Sequence, residues 1–184
     1  MALPTLEKAF GYELQFFTNH IGHFILVTGL LDELTETGRV VILSSAAHQN
    51  APKEGIDFNN LAGEKYYNAW TFYGQSKFAN LLFAKELAHR FSGTKKTAYA
   101  VHPGVIKTNL ARSMNPILQF VFGLGEHLFL KTVEQGAATE CYLATNPSVI
   151  SDSGKYFADS NVKAPRKDAE NIDLAKKLWE VSEK

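Results

Sequence analysis

The spacing of apolar residues divides most of the chain into helical and extended segments. Apolar side chains recur every three to four residues across 12–36 and again across 73–90, which predicts two long helices that each bury a face. Residues 39–44 (RVVILS) and 97–102 (TAYAVH) are instead short and largely apolar. Such runs are typical of strands that are buried on both faces, as in a parallel sheet.

The C-terminal third continues this alternation. The pattern predicts a helix over 133–144, a short strand over 154–158 and a terminal helix over 171–183, with Asn171 or Asp173 near its N-terminal cap. The order strand, helix, strand, helix, strand is that of a doubly wound sheet with right-handed crossovers. We therefore predict an α/β fold built on a parallel sheet.

Composition limits the classes of function. The 184 residues are 45% hydrophobic and 21% charged, which suits one soluble globular domain. Because 19 basic residues balance 19 acidic ones, we expect no nucleic-acid-binding surface and no polybasic membrane patch. A single cysteine, Cys141, excludes an internal disulfide, and the N-terminus does not have the pattern of a signal peptide. These features predict a cytoplasmic location, unless an anchor or targeting segment precedes residue 1.

Tyr73 and Lys77 are the candidate reactive pair. Four residues apart on a predicted helix, they share one face, so the phenol and the ammonium group can serve one site. A nearby cation favours phenolate and lowers the pKa of a tyrosine, which makes it usable as an acid or base near neutrality. By itself the spacing is weak evidence, because most chance occurrences are a surface lysine beside an amphipathic tyrosine.

Three further motifs accompany this pair in a fixed order. Residues 18–24 (TNHIGHF) lie inside the first predicted helix. Residues 43–47 (LSSAA) and 103–108 (PGVIKT) follow the first two predicted strands, at the edge where open α/β sheets place their ligands. Each motif alone has an ordinary structural explanation, such as a turn or a helix cap. Together with the Tyr–Lys pair they indicate one site.

This set of motifs resembles the classical short-chain dehydrogenase/reductase family over essentially the whole chain. In detail it looks like the branch that contains retinol dehydrogenases and the WW-domain-containing oxidoreductase. The residues behind the closer resemblance are 13–24 (ELQFFTNHIGHF), 44–48 (SSAAH), 73–77 (YGQSK), 102–104 (HPG) and 153–157 (SGKYF). The resemblance implies a Rossmann-like fold and an oxidoreductase.

The resemblance also implies a role for each matching residue. Tyr73 would be the general acid/base, and Lys77 would lower its pKa and hydrogen-bond the nicotinamide ribose. Ser45 would hold the reacting carbonyl or hydroxyl, with the adjacent Ser44 as the alternative. Asn19 would hold a water that links Lys77 to solvent. Besides Asn19, Tyr73 and Lys77, the expected cofactor-binding residues are Pro103, Gly104, Ile106 and Thr108.

Several family features have no counterpart in the chain. No segment matches the Gly-rich turn that binds the pyrophosphate, the residue that selects NAD or NADP, or the Asn-Asn-Ala-Gly type of motif. We therefore expect residues 1–184 to form a single partial domain, the C-terminal part of a doubly wound sheet whose first strands and Gly-rich loop are missing. This predicts weak cofactor binding and slow turnover, and leaves open whether Met1 is the true start.

Two main hypotheses for the function follow. The first is an oxidoreductase that interconverts an alcohol and a carbonyl on a bulky apolar substrate of the retinol, steroid or aldehyde type. It would use NADP or NAD, with NADP preferred only because of the family branch. Residues 111–132 would form the substrate lid, and their apolar character motivates the substrate class. A sugar-nucleotide epimerase or dehydratase ranks last, because the Pro103–Gly104 element and the short tail argue against it.

The second hypothesis is a non-catalytic subunit. In the family that the chain resembles, a pair of helices equivalent to 12–36 and 73–90 forms a dimer interface. A homodimer through these helices is therefore expected. A truncated subunit could equally pair with an intact partner and regulate it. The apolar stretch 116–130 is too short for a membrane span and contains Glu126 and His127, so membrane association is not visible in the sequence.

Overall fold

A four-stranded sheet carries the fold. The computed structural model describes residues 1–106 and 130–184. The strands β3 (Arg39–Leu43), β4 (Thr97–His102), β5 (Tyr156–Ala158) and β6 (Asn161–Val162) lie side by side in that order. The β3–β4 and β4–β5 pairs are parallel and β5–β6 is antiparallel. The predicted α/β fold with a parallel sheet is confirmed, although β5 is shorter than the predicted strand over 154–158 and β6 was not predicted.

The register of β3 and β4 brings two of the predicted motifs together. Leu43 pairs with Val101, and the N–H of Ser44 donates to the carbonyl of Val101 at 2.8 Å. The serines that follow β3 therefore lie beside His102 and Pro103, which end β4. Both segments are at the carboxyl edge of the sheet, as the sequence predicted.

The central helix, α3 (Ala69–Arg90), packs against the sheet, the N-terminal helical region and the C-terminal helix. It starts four residues before the predicted Tyr73, because the side chain of Asn68 caps it by accepting hydrogen bonds from the N–H groups of Trp70 and Thr71. Fourteen of its 22 residues are buried. The side chains that pack closest to the core include Phe78, Leu81, Leu82 and Leu87, none of which is measurably exposed.

The predicted single helix over 12–36 is wrong in its extent. Tyr12–Glu13 forms a short strand, β2, that pairs with β1 (Lys8–Ala9). Helical structure then runs through α1 (Leu14–Phe16), a π-helical turn (Phe17–Ile21) and α2 (Gly22–Gly29).

The start and the end of this region have separate physical causes. The buried carboxylate of Glu13 accepts a hydrogen bond from the N–H of Phe16 at 2.8 Å and so caps α1. After Gly29 the chain leaves the α-helix and makes only a 3₁₀ turn, Leu31–Glu33. Apolar spacing alone indicates neither the cap nor the change of helix type.

Two helices near the C-terminus complete the layers. Helix α4 (Val133–Thr145) begins at a capping box between Thr132 and Gln135, and α5 (Ile172–Ser182) is capped by Asn171. The apolar face of α5 packs on α3 and α2, where Trp179 meets the rings of Phe24 and Phe83. The homodimer through helices 12–36 and 73–90 stays a prediction.

Two other predictions concern parts of the chain at or near the gap. The lid over 111–132 lies outside the described residues except for its last three, and so does Thr108. Among the helices in residues 1–106 and 130–184, none combines the length and apolarity that crossing a bilayer requires.

Candidate functional site

Tyr73 and Ser45 meet at the carboxyl edge of the sheet. Tyr73 lies in the first part of α3 and is 6% exposed. Its phenol lies close enough to the side chain of Ser45 for that side chain to lower the Tyr73 pKa, and Ser45 caps the 3₁₀ turn Ala46–Asn50 after β3. Burial raises the pKa of Tyr73 above its ordinary value, and the side chain of Ser45 acts in the opposite direction.

Gly74 makes this meeting possible. A Cβ atom at position 74 would lie 2.7 Å from the carbonyl oxygen of Ala47 and 2.8 Å from the backbone nitrogen of Ala51. These contacts are with backbone atoms, which cannot move aside as a flexible side chain can. Helix α3 therefore approaches the 3₁₀ turn closely only because residue 74 has no side chain. The glycine between Tyr73 and Lys77 thus sets the distance from the phenol to Ser45.

Lys77 shares the face of α3 with Tyr73, as its spacing predicted. Its Nζ is 5.9 Å from the centroid of the Tyr73 ring and donates to the carbonyl of Leu43 at 3.3 Å. Burial lowers the pKa of Lys77 to about 8. Burial raises the pKa of Tyr73, so the net shift is opposite in direction to the lowering that the sequence predicted.

Geometry separates the two candidate serines. Ser44 is 2% exposed, and its hydroxyl donates to the backbone carbonyl of Lys77 at 2.8 Å. This bond ties the end of β3 to α3 and directs Ser44 away from the phenol of Tyr73. Ser45 is half-buried, and its side chain influences the pKa of Tyr73. Of the two serines, Ser45 is therefore the one whose side chain lies beside the phenol.

Asn19 lies in the π-helical turn Phe17–Ile21. Its side-chain amide donates to the hydroxyl of Ser76 at 3.0 Å, one residue before Lys77. Burial lowers the pKa of His23, and the charge of Lys77 lowers it further. A hydrogen bond with the backbone of Asn19 acts in the opposite direction. His23 and Asn19 therefore lie near Lys77. Single π-helical turns are frequent at functional sites, where they redirect backbone groups.

A buried hydrogen-bond network contacts the Leu43 carbonyl to which Lys77 donates. Nδ1 of His20 is 3.3 Å from Oδ1 of Asn80, whose Nδ2 donates at 2.9 Å to the Leu43 carbonyl that Lys77 also contacts. Nε2 of His20 is 2.9 Å from the hydroxyl of Ser182 at the end of α5. Since Asn80 presents its oxygen to the ring, the neutral His20 carries its proton on Nδ1. His20 is thus a structural residue and not a metal ligand.

Of the four residues expected to line the nicotinamide, the structure describes Pro103, Gly104 and Ile106. The carbonyl of Pro103 accepts a hydrogen bond from Nζ of Lys131 at 3.3 Å. Gly104 has a φ of +97°, a left-handed conformation that favours glycine, and a Cβ there would lie 2.7 Å from the flexible side chain of Lys131. An isolated parallel β-bridge joins Ile106 to Lys131, and the side chain of Ile106 lies against Gly136 in α4.

The sequence interpretation missed the charged residues that hold this segment. Lys131 also forms an ion pair with Asp159 at 2.5 Å, where the chain turns between β5 and β6. The neighbouring His102 has a pKa lowered first by burial and then by the charge of Lys131. The only sequence signal for this cluster was the position of His102 at the end of a predicted strand. Across the described residues, no group of histidine, cysteine and carboxylate side chains could hold a metal ion.

The pH dependence of stability gives a first prediction. Burial keeps the pKa of His20 at about 4 in the folded chain, against 6.5 for an exposed histidine. Between these values the unfolded chain binds a proton that the folded chain does not, so stability falls as pH falls through 6.5 and stops falling below about 4. Lowering the pH from 7 to 5 should cost about 2 kcal/mol of unfolding free energy through His20 alone. Urea denaturation at both values measures the loss.

The matched control for this prediction is His20→Asn. This variant is less stable at every pH, but its loss of stability between pH 7 and 5 should be smaller by about 2 kcal/mol. An equal loss in the two proteins, or titration of His20 near pH 6.5 by NMR, would contradict the assignment.

Sequence comparisons show which known proteins the chain is similar to. The sequence pattern of the short chain dehydrogenase family matches residues 6–118. Human retinol dehydrogenase 14 is 39% identical over 98% of the chain and 54% of its own length. The chloroplastic short-chain dehydrogenase TIC 32 A of Brassica napus is 42% identical over 94% of the chain and 56% of its own length. The chain thus spans about half the length of the curated relatives it matches.

Solved structures give the same result. A crystal structure of a Mycobacterium paratuberculosis protein superposes with a TM-score of 0.74 at 30% identity, covering all of this chain and 62% of that one. A short-chain dehydrogenase/reductase from Saccharomyces cerevisiae gives a TM-score of 0.55 at 25% identity over 79% of this chain and 55% of its own. The chain therefore belongs to the short-chain dehydrogenase family and shares the sequence features of its retinol dehydrogenase branch.

Proposed function

We propose that this chain carries the reacting residues of an NAD(P)(H)-dependent oxidoreductase that interconverts an alcohol and a carbonyl. The observation behind the proposal is the cluster of Ser45, Tyr73 and Lys77 at the carboxyl edge of the sheet. A phenol, a hydroxyl and a cation within reach of one another can together bind an oxygen atom and exchange a proton with it. Family membership makes this chemistry the first to test.

The residues available for a nicotinamide nucleotide fit such a ligand. Among the described residues, Lys77 has one hydrogen bond, to the Leu43 carbonyl at 3.3 Å, so its other ammonium protons are free to meet ribose hydroxyls. Asn19 lies on one side of it, and Pro103, Gly104 and Ile106 lie at the end of the neighbouring strand. Thr108 completes the proposed set. The nucleotide, when bound, supplies or accepts the hydride.

The protein's own groups handle the proton. In the direction of carbonyl reduction, the hydroxyl of Ser45 donates a hydrogen bond to the substrate oxygen and Tyr73 transfers its phenolic proton to the same oxygen. Lys77, whose pKa of about 8 leaves it mostly protonated at neutral pH, stabilises the phenolate that forms. Asn19 holds a water through which Lys77 exchanges protons with solvent. Alcohol oxidation runs the same steps in reverse.

The substrate class and the choice of nucleotide rest on resemblance alone. A bulky apolar alcohol or aldehyde is proposed because retinol dehydrogenases are among the relatives and because the predicted lid over 111–132 is apolar. NADP is preferred over NAD only because of the resemblance to the retinol dehydrogenase branch. Because the chain covers about half of those relatives, its turnover is expected to be impaired.

Binding of the nucleotide is the experiment to do first. The proposal predicts that the purified chain increases the nicotinamide fluorescence of NADPH or NADH in a saturable manner, although binding should be weak. A Tyr73→Phe, Lys77→Ala double variant should lose this signal, because it removes the proposed ribose contacts while the chain remains folded by circular dichroism. Absence of binding by a folded wild-type chain would refute the proposal that this chain is itself an enzyme.

A second candidate is a non-catalytic subunit that acts through association with an intact partner. Three apolar side chains on or next to α2 favour it, since Ile25, Leu26 and Leu30 are 60%, 58% and 50% exposed. Within the described residues, β3 also has a neighbour on one edge only. A folded chain that binds no nucleotide and associates with a full-length relative would support this second function.

A further inference from the structure

His48 is a buried histidine with no part in the chemistry described above. It lies in the 3₁₀ turn Ala46–Asn50, three residues after Ser45, and is 2% exposed. Its ring packs edge-on against the ring of Tyr156 in β5, with 5.0 Å between the centroids. A buried imidazole needs hydrogen-bond partners for both nitrogens. His48 has one partner in its own turn, Ser45, and one in a distant segment, Arg166, and the side-chain nitrogen of Gln49 also lies 3.1 Å from its Nε2.

The partners define the tautomer. Nε2 of His48 is 3.2 Å from the backbone nitrogen of Arg166, and that N–H can only donate. Nε2 is therefore the acceptor, and the ring proton is on Nδ1. Nδ1 lies 2.6 Å from the carbonyl oxygen of Ser45 and donates to it. Burial lowers the pKa of His48, which keeps the ring neutral at physiological pH.

Arg166, whose backbone N–H donates to His48, is held in place by several contacts of its own. The guanidinium group of Arg166 donates to the carbonyls of Ala51 and Pro52 at 2.8 and 2.9 Å and forms an ion pair with Asp168. It also lies 5.0 Å from the ring centroid of Phe78 in α3. The backbone N–H of Arg166 is thus a fixed point from which His48 can hold another group.

The other partner of His48 is the backbone of Ser45. Its carbonyl accepts from Nδ1 of His48 and also from the backbone N–H of His48 at 3.1 Å. The Ser45 hydroxyl accepts a hydrogen bond from the N–H of Ala47 at 3.2 Å and lies close enough to the phenol of Tyr73 to lower its pKa. Rotation of the Ser45 peptide group would break the hydrogen bonds that its carbonyl accepts from His48 and would move its hydroxyl away from the N–H of Ala47.

We propose that His48 is a positioning residue, whose Nδ1–H fixes the Ser45 carbonyl so that the Ser45 hydroxyl stays directed at Tyr73. Its effect on turnover rests on the proposed oxidoreductase function. Its effect on the Ser45–Tyr73 contact does not, because that contact is a feature of the protein alone. The two consequences can therefore be measured separately.

The two amide variants of His48 separate its nitrogens. In His48→Asn the side-chain amide can take the place of Nδ1 and still donate to Ser45. In His48→Gln the amide oxygen can take the place of Nε2 and still accept from Arg166, but the donor to Ser45 is lost. Both variants lose the ring contact with Tyr156. Each variant thus keeps one of the two hydrogen bonds and loses the other, and only His48→Gln loses the donor to Ser45.

The first measurement is the pKa of Tyr73, obtained from a pH titration that is monitored by NMR of ring-labelled tyrosine. The side chain of Ser45 lowers this pKa, so His48→Gln should raise it as Ser45→Ala does, whereas His48→Asn should leave it near the wild-type value. Nitrogen NMR of the wild-type chain should show His48 protonated on Nδ1. Protonation on Nε2, or equal Tyr73 pKa values in the two amide variants, would overturn the proposal.

The second measurement is turnover. His48→Gln should lower kcat by about 10- to 100-fold, since a small displacement of a reacting group has that effect, with the Kd for the nucleotide unchanged. His48→Asn should stay within about threefold of wild type. Equal losses of kcat in both variants would overturn the proposal. A wild-type chain without turnover would instead refute the proposed function, and the tyrosine titration would still decide the role of His48.

Discussion

Tyr73→Phe is expected to lower kcat for alcohol–carbonyl interconversion by about 10²- to 10⁴-fold, the usual contribution of a positioned acid or base. The substitution removes one oxygen atom, the one that lies beside the side chain of Ser45. The ring stays, so its contact with Trp70, 6.2 Å between centroids, and its packing in α3 are kept. Steady-state kinetics with NADPH and an apolar aldehyde measure the loss.

Stability should change little in the same variant. Loss of one partly solvated hydrogen bond costs about 1 kcal/mol, so circular dichroism and urea denaturation should show a folded chain. The matched control is Tyr66→Phe, which also removes a phenolic hydroxyl, here one that bonds Asp57 at 3.2 Å on an exposed surface. Tyr66→Phe should turn over like wild type. If Tyr73→Phe keeps kcat within about tenfold of wild type, Tyr73 is not the general acid.

The sequence predicted the parts of this site that depend on local spacing. The four-residue separation of Tyr73 and Lys77 indicates a shared helix face wherever the helix begins, so a four-residue error at its start had no effect. The two motifs after β3 and β4 were predicted to meet because parallel strands align their carboxyl ends. These rules hold without knowledge of side-chain packing.

The remaining features depend on contacts between residues far apart in the chain. Ser44 and Ser45 differ in role because the Ser44 hydroxyl reaches a carbonyl 33 residues away, at Lys77. His20 pairs with Ser182 across 162 positions, and His48 with Arg166 across 118. No local pattern encodes such partners. The sign of the shift in the pKa of Tyr73 was also out of reach, since it follows from burial.

Trp179→Ala is expected to lower the unfolding free energy by about 3–5 kcal/mol, the range for removing a buried Trp or Phe side chain. Trp179 is 5% exposed. Its ring lies 4.9 Å from the ring of Phe24 and 5.6 Å from that of Phe83. The guanidinium group of Arg90 covers it at 3.8 Å, and its Nε1 donates to Glu183 at 2.7 Å.

The expected loss has consequences beyond α5 itself. Without Trp179, the remaining apolar contacts of α5 come mainly from Ala175 and Leu178, so the end of the helix, including Ser182, should open locally. His20 would then lose the hydroxyl that bonds its Nε2. Because His20 holds Asn80, which holds the Leu43 carbonyl beside Lys77, loosening α5 should disturb the site from behind.

Urea denaturation of Trp179→Ala and of Glu183→Gln separates packing from polar contact. Glu183→Gln keeps an oxygen acceptor for the indole N–H and should change the unfolding free energy by less than about 0.5 kcal/mol. Hydrogen exchange at the amides of α5 should speed up in Trp179→Ala before that of α3 does. A loss below about 1 kcal/mol for Trp179→Ala would mean that α5 is not held by its aromatic face. The support that Ser182 gives to His20 would then have no stable base.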